Sequence, residues 1–141
     1  MTSQNTPHIF SAHRFLAFLM ILLASLAFSH ASFALAKSDV DGVVMAKELP
    51  KEAQAVLKQI QAGGPFKYKD KDGSEFKNRE GELPKKPRGY YREYTVKTSA
   101  TRDRGPIRII AGEGREKDVR TSNEYYYTAD HYKTFRRILI Q

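Results

Sequence analysis

The order of apolar and polar residues divides the chain into unlike stretches. Phe15 to Phe28 is a run of 14 residues, apolar apart from Ser25, preceded by Arg14 and followed by small residues. This is the layout of a secretory signal peptide. A retained membrane anchor is the other reading of such a run, but spanning a bilayer takes roughly 20 apolar residues. Ser32-Phe33-Ala34 and Ala34-Leu35-Ala36 both offer small-x-small cleavage patterns, and a cut after Ala36 starts the mature chain at Lys37. Residues 1–36 are therefore expected to be a cleavable signal peptide, residues 37–141 a single domain, and the product secreted.

Beyond a loose lead-in over Lys37 to Lys47, the spacing of Ala53, Val56, Leu57 and Ile60 puts four apolar side chains on one helical face and predicts a helix over Pro50 to Ala62. Pro50 suits the first helical turn, where its missing N–H is no loss, and Gly63-Gly64 a left-handed stop. Pro65 to Pro87 is dense in Lys, Asp, Gly and Pro, with Asp72-Gly73 as a turn signal, and reads as ordered loop with one short strand. From Gly89 onward the period changes to two. Tyr90 to Val96, Ile107 to Ala111, Glu124 to Thr128 and Thr134 to Ile140 are aromatic or β-branched runs separated by Gly, Asp and Ser. One helix followed by short strands predicts an α+β domain, with the main helix packed on a small antiparallel β-sheet.

Alternation also sorts the charged residues. In the first run Tyr91, Glu93 and Thr95 share a face opposite Tyr94 and Val96, and Arg108 points away from Ile107 and Ile109. A carboxylate and a guanidinium thus leave the apolar side of the sheet together.

Composition narrows the chemistry. Removing residues 1–36 takes away one Arg and no acidic residue, so the formal charge falls from +8 to +7 on the remaining domain. Such a surface attracts polyanions, nucleic acid or anionic membrane. The predicted helix carries only Lys51 and Lys58, too little for a membrane-active amphipathic helix. With no Cys in the chain, thiol nucleophiles, thiolate metal sites and disulfide staples are excluded.

Of four His, only His131 lies beyond residue 36. Glu93, Arg104, Arg108 and His131 together contain a carboxylate, fixed cations and an imidazole. Cleavage of RNA through its own 2′-hydroxyl needs a base for that proton, an acid for the departing 5′-oxygen, and cations for the crowded phosphorus. The same residues also fit a surface cross-strand ion pair and a structural histidine. On these residues alone, a secreted non-catalytic polyanion-binding or RNA-binding domain remains the alternative.

Longer motifs add a resemblance. Leu49-Pro50, Gly64-Pro65-Phe66, Phe76-Lys77-Asn78-Arg79-Glu80, Leu83-Pro84, Gly89 through Val96, Arg104-Gly105, Arg108-Ile109-Ile110, Thr128-Ala129-Asp130-His131-Tyr132 and Thr134-Phe135 follow one another in this order. In order and spacing the chain resembles the guanyl-specific microbial ribonucleases, the family of barnase and the Streptomyces ribonucleases. The resemblance implies the microbial ribonuclease fold and a monomer that cleaves single-stranded RNA 3′ of guanosine. It implies a 2′,3′-cyclic phosphate, then slower hydrolysis to the 3′-phosphate, with no metal and no cofactor.

By position, Glu93 matches the general base, His131 the general acid, Arg104 and Arg108 the phosphate-stabilising cations, and Tyr132 a phosphate contact. Phe76, Lys77, Asn78, Arg79 and Glu80 match the guanine-binding loop, where backbone N–H groups meet O6 and the Glu80 carboxylate accepts from N1–H and the 2-amino group. Lys77 stands where the family carries small or neutral polar residues, and Pro106 sits between the two arginines. A small acidic inhibitor of the barstar kind is implied as a partner, and stable membrane association after cleavage is not.

Overall fold

Pro50 and Gly63 bracket the longest element among the described residues. The computed structural model describes residues 40–140; the expected signal peptide and its cleavage sites lie outside them. Helix α1 (Lys51–Ala62) buries Ala53, Leu57 and Ile60, spaced four and three residues apart. Pro50, expected in the first turn, stands one position before the helix as its N-cap (φ −51°, ψ 146°). Gly63 takes the left-handed conformation (φ 81°) that ends it. Its N–H donates to the carbonyl of Ile60 and that of Gly64 to the carbonyl of Gln59, so two of the last carbonyls are satisfied.

Among the described residues six short strands form one sheet: β1 (Val43–Met45), β2 (Ser74–Glu75), β3 (Arg92–Thr95), β4 (Arg108–Ala111), β5 (Tyr125–Thr128) and β6 (Arg136–Leu139). Their order across the sheet is β1-β6-β5-β4-β3-β2. Strands β2 to β6 pair antiparallel, as expected, but β1 pairs parallel to β6, with Val43 opposite Arg137 and Met45 opposite Leu139. The sheet is mixed, which corrects the all-antiparallel expectation. The lead-in over Lys37 to Lys47 is likewise corrected, since β1 and a 3₁₀ turn at Ala46–Glu48 lie at its end. Three residues are too few to show alternation, and the partner of β1 is the opposite end of the domain.

The alternation predicted for the longer strands is what separates the two faces. Tyr94, Val96, Ile109, Ala111, Tyr125, Tyr127 and Ile138 pack with Leu57 and Ile60 of α1 in the main core. On the other face Tyr91, Ile110 and Tyr126 join Leu83 and Phe135 in a smaller core. Both faces of β4 are covered, and its four residues are all buried. The register then sets a row of polar side chains beside the second core: Thr95 lies opposite Arg108, and Arg108 opposite Thr128, with Glu93 one pleat away opposite Ile110.

Glu124 organises the far end of that face. Its Oε2 accepts from the Tyr90 hydroxyl at 2.5 Å and its Oε1 from Tyr126 at 2.7 Å. Burial works against its ionisation, yet these hydrogen bonds outweigh it and hold the carboxyl below its ordinary range. Burial first, and then the bond to Glu124, push the Tyr90 hydroxyl up to about 12. Replacing Glu124 with Ala removes the acceptor of both hydroxyls at once. Stability is expected to fall by about 2 to 4 kcal/mol, read as a lower urea midpoint at unchanged slope; an unmoved midpoint would show the network to be ornamental.

Candidate active site

Strand β3 carries Glu93 into the row of polar residues, and three neighbours converge on its carboxylate. The Tyr132 hydroxyl donates to Oε2 at 2.5 Å, the Ser74 hydroxyl to Oε1 at 3.4 Å, and Arg104 Nη2 stands 3.7 Å from Oε1. Burial, followed by the hydrogen bond to Glu93, raises the Tyr132 hydroxyl above its ordinary value, so it remains a donor at neutral pH. Arg104 is itself clamped: its Nε and Nη2 both donate to Thr95 Oγ1, at 3.0 and 2.6 Å, and its guanidinium lies 5.7 Å from the Tyr68 ring centre.

Arg108 is 3% exposed, an unusual burial for an arginine. Its Nη1 donates to the carbonyls of Gly105 and Ile107, and its guanidinium carbon lies 5.9 Å from the Tyr132 ring centre. Its Nε is buried without a hydrogen-bond partner among the described residues. A cavity of about 440 Å³ is lined by Arg104, Arg108 and His131, together with the 103–106 loop. Two guanidiniums and an imidazole on one open cavity, with a carboxylate held against one of them, form a site for an anion that must exchange protons.

His131 reaches this cavity on a strained turn. Both His131 (φ 59°) and Tyr132 (φ 72°) are left-handed, a conformation uncommon outside Gly and Asn. Asp130 holds it there. Its carboxylate accepts from the Thr128 hydroxyl (2.9 Å), the backbone N–H groups of Lys133 and Thr134 (3.1 and 3.0 Å) and the Thr134 hydroxyl (2.6 Å). The Thr134 hydroxyl is the foremost cause that lowers the Asp130 carboxyl to about 2.

A carboxyl whose pKa drops on folding stabilises the fold fully above its unfolded value and loses that stabilisation as pH falls toward the folded one. The turn is therefore expected to hold at and above pH 4 and to loosen only as Asp130 protonates near pH 2. Thr134→Val, which keeps the shape and removes the hydroxyl, is expected to move the NMR titration midpoint of Asp130 up toward 3.8. A midpoint that stays near 2 would assign the shift elsewhere.

The loop predicted to hold a base is placed in part against this cluster. The Phe76 ring packs on Tyr132 at 5.3 Å and on Phe135 at 5.9 Å. Asn78 (φ 46°) is occupied with the loop itself: its amide donates to the Leu83 carbonyl at 2.8 Å and its Oδ1 accepts from the Leu83 N–H at 3.0 Å. Lys77, Arg79 and Glu80 are exposed, and Glu80 makes no hydrogen bond or ion pair to another described residue. The structure thus gathers Glu93, Arg104, Arg108, His131, Tyr132 and Phe76, and leaves Lys77, Arg79 and Glu80 on the rim. Sequence reasoning missed Thr95, Ser74 and Asp130 as positioning residues. Asp130 was within reach, as an Asp two residues after a Thr and four before another suggests a side-chain-capped turn. Among the described residues, no group of three or more His, Asp or Glu is arranged to hold a metal ion.

Comparison with known proteins places this site in a family. A family model described as ribonuclease matches residues 34–139. The guanyl-specific ribonuclease Sa of Kitasatospora aureofaciens is 48% identical over 100 residues, which span 71% of this chain and 96% of that protein. The guanyl-specific ribonuclease St of Saccharopolyspora erythraea is 45% identical over 93 residues, 66% of this chain and 83% of that protein. The crystal structure of ribonuclease Sa2 with guanosine-2′-cyclophosphate matches with a TM-score of 0.60 at 39% identity, covering 72% of this chain and 98% of that one. With an α+β fold, a buried arginine beside a braced glutamate, and this likeness along nearly the whole domain, the chain belongs to the guanyl-specific microbial ribonucleases.

Proposed function

We infer that the protein is a metal-independent endoribonuclease that cleaves single-stranded RNA 3′ of guanosine. The observation that carries the reading is Glu93, braced by the Tyr132 hydroxyl and faced by Arg104, on the sheet face that also bears Arg108. The Glu93 carboxylate takes the proton of the guanosine 2′-hydroxyl. The resulting oxygen attacks phosphorus, the P–O5′ bond breaks, and His131 delivers a proton to the departing 5′-oxygen. Arg104 and Arg108 neutralise the charge on the equatorial oxygens. In the second step water attacks the 2′,3′-cyclic phosphate while base and acid exchange roles, leaving a 3′-phosphate. Because the first nucleophile belongs to the substrate, no metal or cofactor is required to generate one.

Guanine preference is assigned to the loop from Phe76 to Glu80. Phe76 stacks under the base, the N–H groups of Lys77, Asn78 and Arg79 meet O6, and Glu80 accepts from N1–H and the 2-amino group. The side-chain bonds of Asn78 to Leu83 support this role by fixing the backbone of the loop rather than by touching the base. Adenine lacks both O6 and those donors, and polar groups left unpaired by a mismatch are costly. The protein works as a monomer outside the cell after loss of residues 1–36. The net positive charge of the mature domain supports recognition by a small acidic inhibitor of the barstar kind.

The test is incubation with GpU, ApU, CpU and UpU in excess EDTA, with products separated by chromatography. Preferential release of guanosine 2′,3′-cyclic phosphate is expected. Cleavage of none of the four would leave a polyanion-binding domain on this scaffold, and equal cleavage of all four would remove the guanine assignment.

A further inference from the structure

The base-binding loop has a second flank. A cavity of about 460 Å³ is lined by Lys77, Arg79, Lys85, Lys86 and Arg88, against one carboxylate, Glu75. Arg88 lies 3.4 Å from Glu75, while the other four cations have no ion pair to a described residue. Lys86 is steadied at the rim by the Tyr90 ring, 4.9 Å from its Nζ. Cations crowded round one concavity repel each other unless something anionic enters it. The cavity shares no lining residue with the one beside His131, yet Phe76 lines it and packs on Tyr132, whose hydroxyl rests on Glu93.

That arrangement gives the cleft a place along a substrate. On the reading above, the 3′-phosphate of the guanosine sits at Glu93 and the base on the Phe76–Arg79 loop. The 5′-oxygen is at the other end of the same nucleoside, so RNA upstream of the guanosine leaves toward the loop's other flank. We propose that the Lys77–Arg79–Lys85–Lys86–Arg88 cleft is a subsite for the phosphates of the nucleotides on the 5′ side of the cleaved guanosine; this rests on the ribonuclease reading. An anionic membrane is the less favoured occupant. The large exposed apolar residues that would insert into one, Val43, Leu139 and Ile140, lie at the β1–β6 edge of the sheet, opposite the β2 edge that borders the cleft.

The experiment uses Lys85→Gln/Lys86→Gln, with Lys51→Gln/Lys58→Gln on α1 as a charge-matched control. Affinity for the tetranucleotide UUGU, made uncleavable by a 2′-O-methyl group on its guanosine, is measured by fluorescence anisotropy across a salt series, with 3′-extended GUUU blocked in the same way alongside. GpU turnover is followed separately. The cleft double variant is expected to lose affinity for UUGU and to flatten its log–log salt dependence by about 1.4, the value for two single-strand phosphate contacts. It is expected to match the wild type on GUUU and in GpU turnover, and the control is expected to keep the wild-type slope.

Equal losses in the control would reduce the effect to net charge and overturn the subsite. A loss confined to GUUU would overturn its 5′ polarity. Unchanged RNA binding with weakened binding to phosphatidylserine vesicles would overturn RNA as the occupant. Absence of GpU cleavage by the wild type, with the UUGU effect intact, would fall on the catalytic reading and leave the cleft standing.

Discussion

Glu93→Gln is expected to lower kcat on GpU by about 10²- to 10⁴-fold, the range that a positioned general base contributes. The substitution removes one charge and almost no volume. The new amide can still accept from Tyr132 through its oxygen, so the Phe76–Tyr132 packing and the sheet have no reason to move. Loss of a carboxylate 3.7 Å from Arg104 also removes a competitor for that cation, so a 3′-guanylate product is expected to bind at least as tightly as before. The signature is therefore a collapse in kcat, an unraised KM and an unchanged melting temperature. A kcat within threefold of the wild type would remove Glu93 from the reaction and leave its cluster a structural ion pair.

The second large effect falls on His131, where the choice of replacement matters. At φ 59° the backbone disfavours most side chains, and Asn is the replacement that tolerates this region best. Together with the untouched Asp130 brace, His131→Asn keeps the turn and removes the imidazole. Turnover of GpU is expected to fall by about 10²- to 10⁴-fold. The role is separated from mere binding by the leaving group. A guanosine 3′-(4-nitrophenyl phosphate) departs as a stabilised phenolate and needs no proton, so the variant is expected to recover most of its rate on that substrate, whereas Glu93→Gln is not. Equal losses on both substrates would mean that His131 does not protonate the leaving oxygen.

Much of this site is legible in the sequence alone. Period two in Tyr90 to Val96 and Ile107 to Ala111 put Glu93 and Arg108 on one face, and the register bears this out, with Thr95 rather than Glu93 directly opposite Arg108. The helix was legible because Ala53, Leu57 and Ile60 repeat at its period and Gly63 ends it. The parallel edge strand β1 was not, as three residues give no period and its partner is more than 90 residues away in the chain. Nor was the division of labour within the 76–80 loop, where the Asn78 side chain proves to hold Leu83.

What the sequence by itself determined is whatever depends on neighbours along the chain: the helix and its stop, the alternation of the strands, the absence of thiol chemistry, the single imidazole beyond residue 36 and the basic charge. What only the tertiary structure decided is whatever depends on partners brought from far apart. Tyr132 reaches Glu93 across 39 positions, Tyr90 reaches Glu124 across 34, and the cationic cleft forms where residues 75–79 meet residues 85–91. The physical reason is that periodicity reports which face a side chain leaves from, whereas a hydrogen bond or ion pair requires atoms about 3 Å apart, a distance that only strand register and loop closure can set.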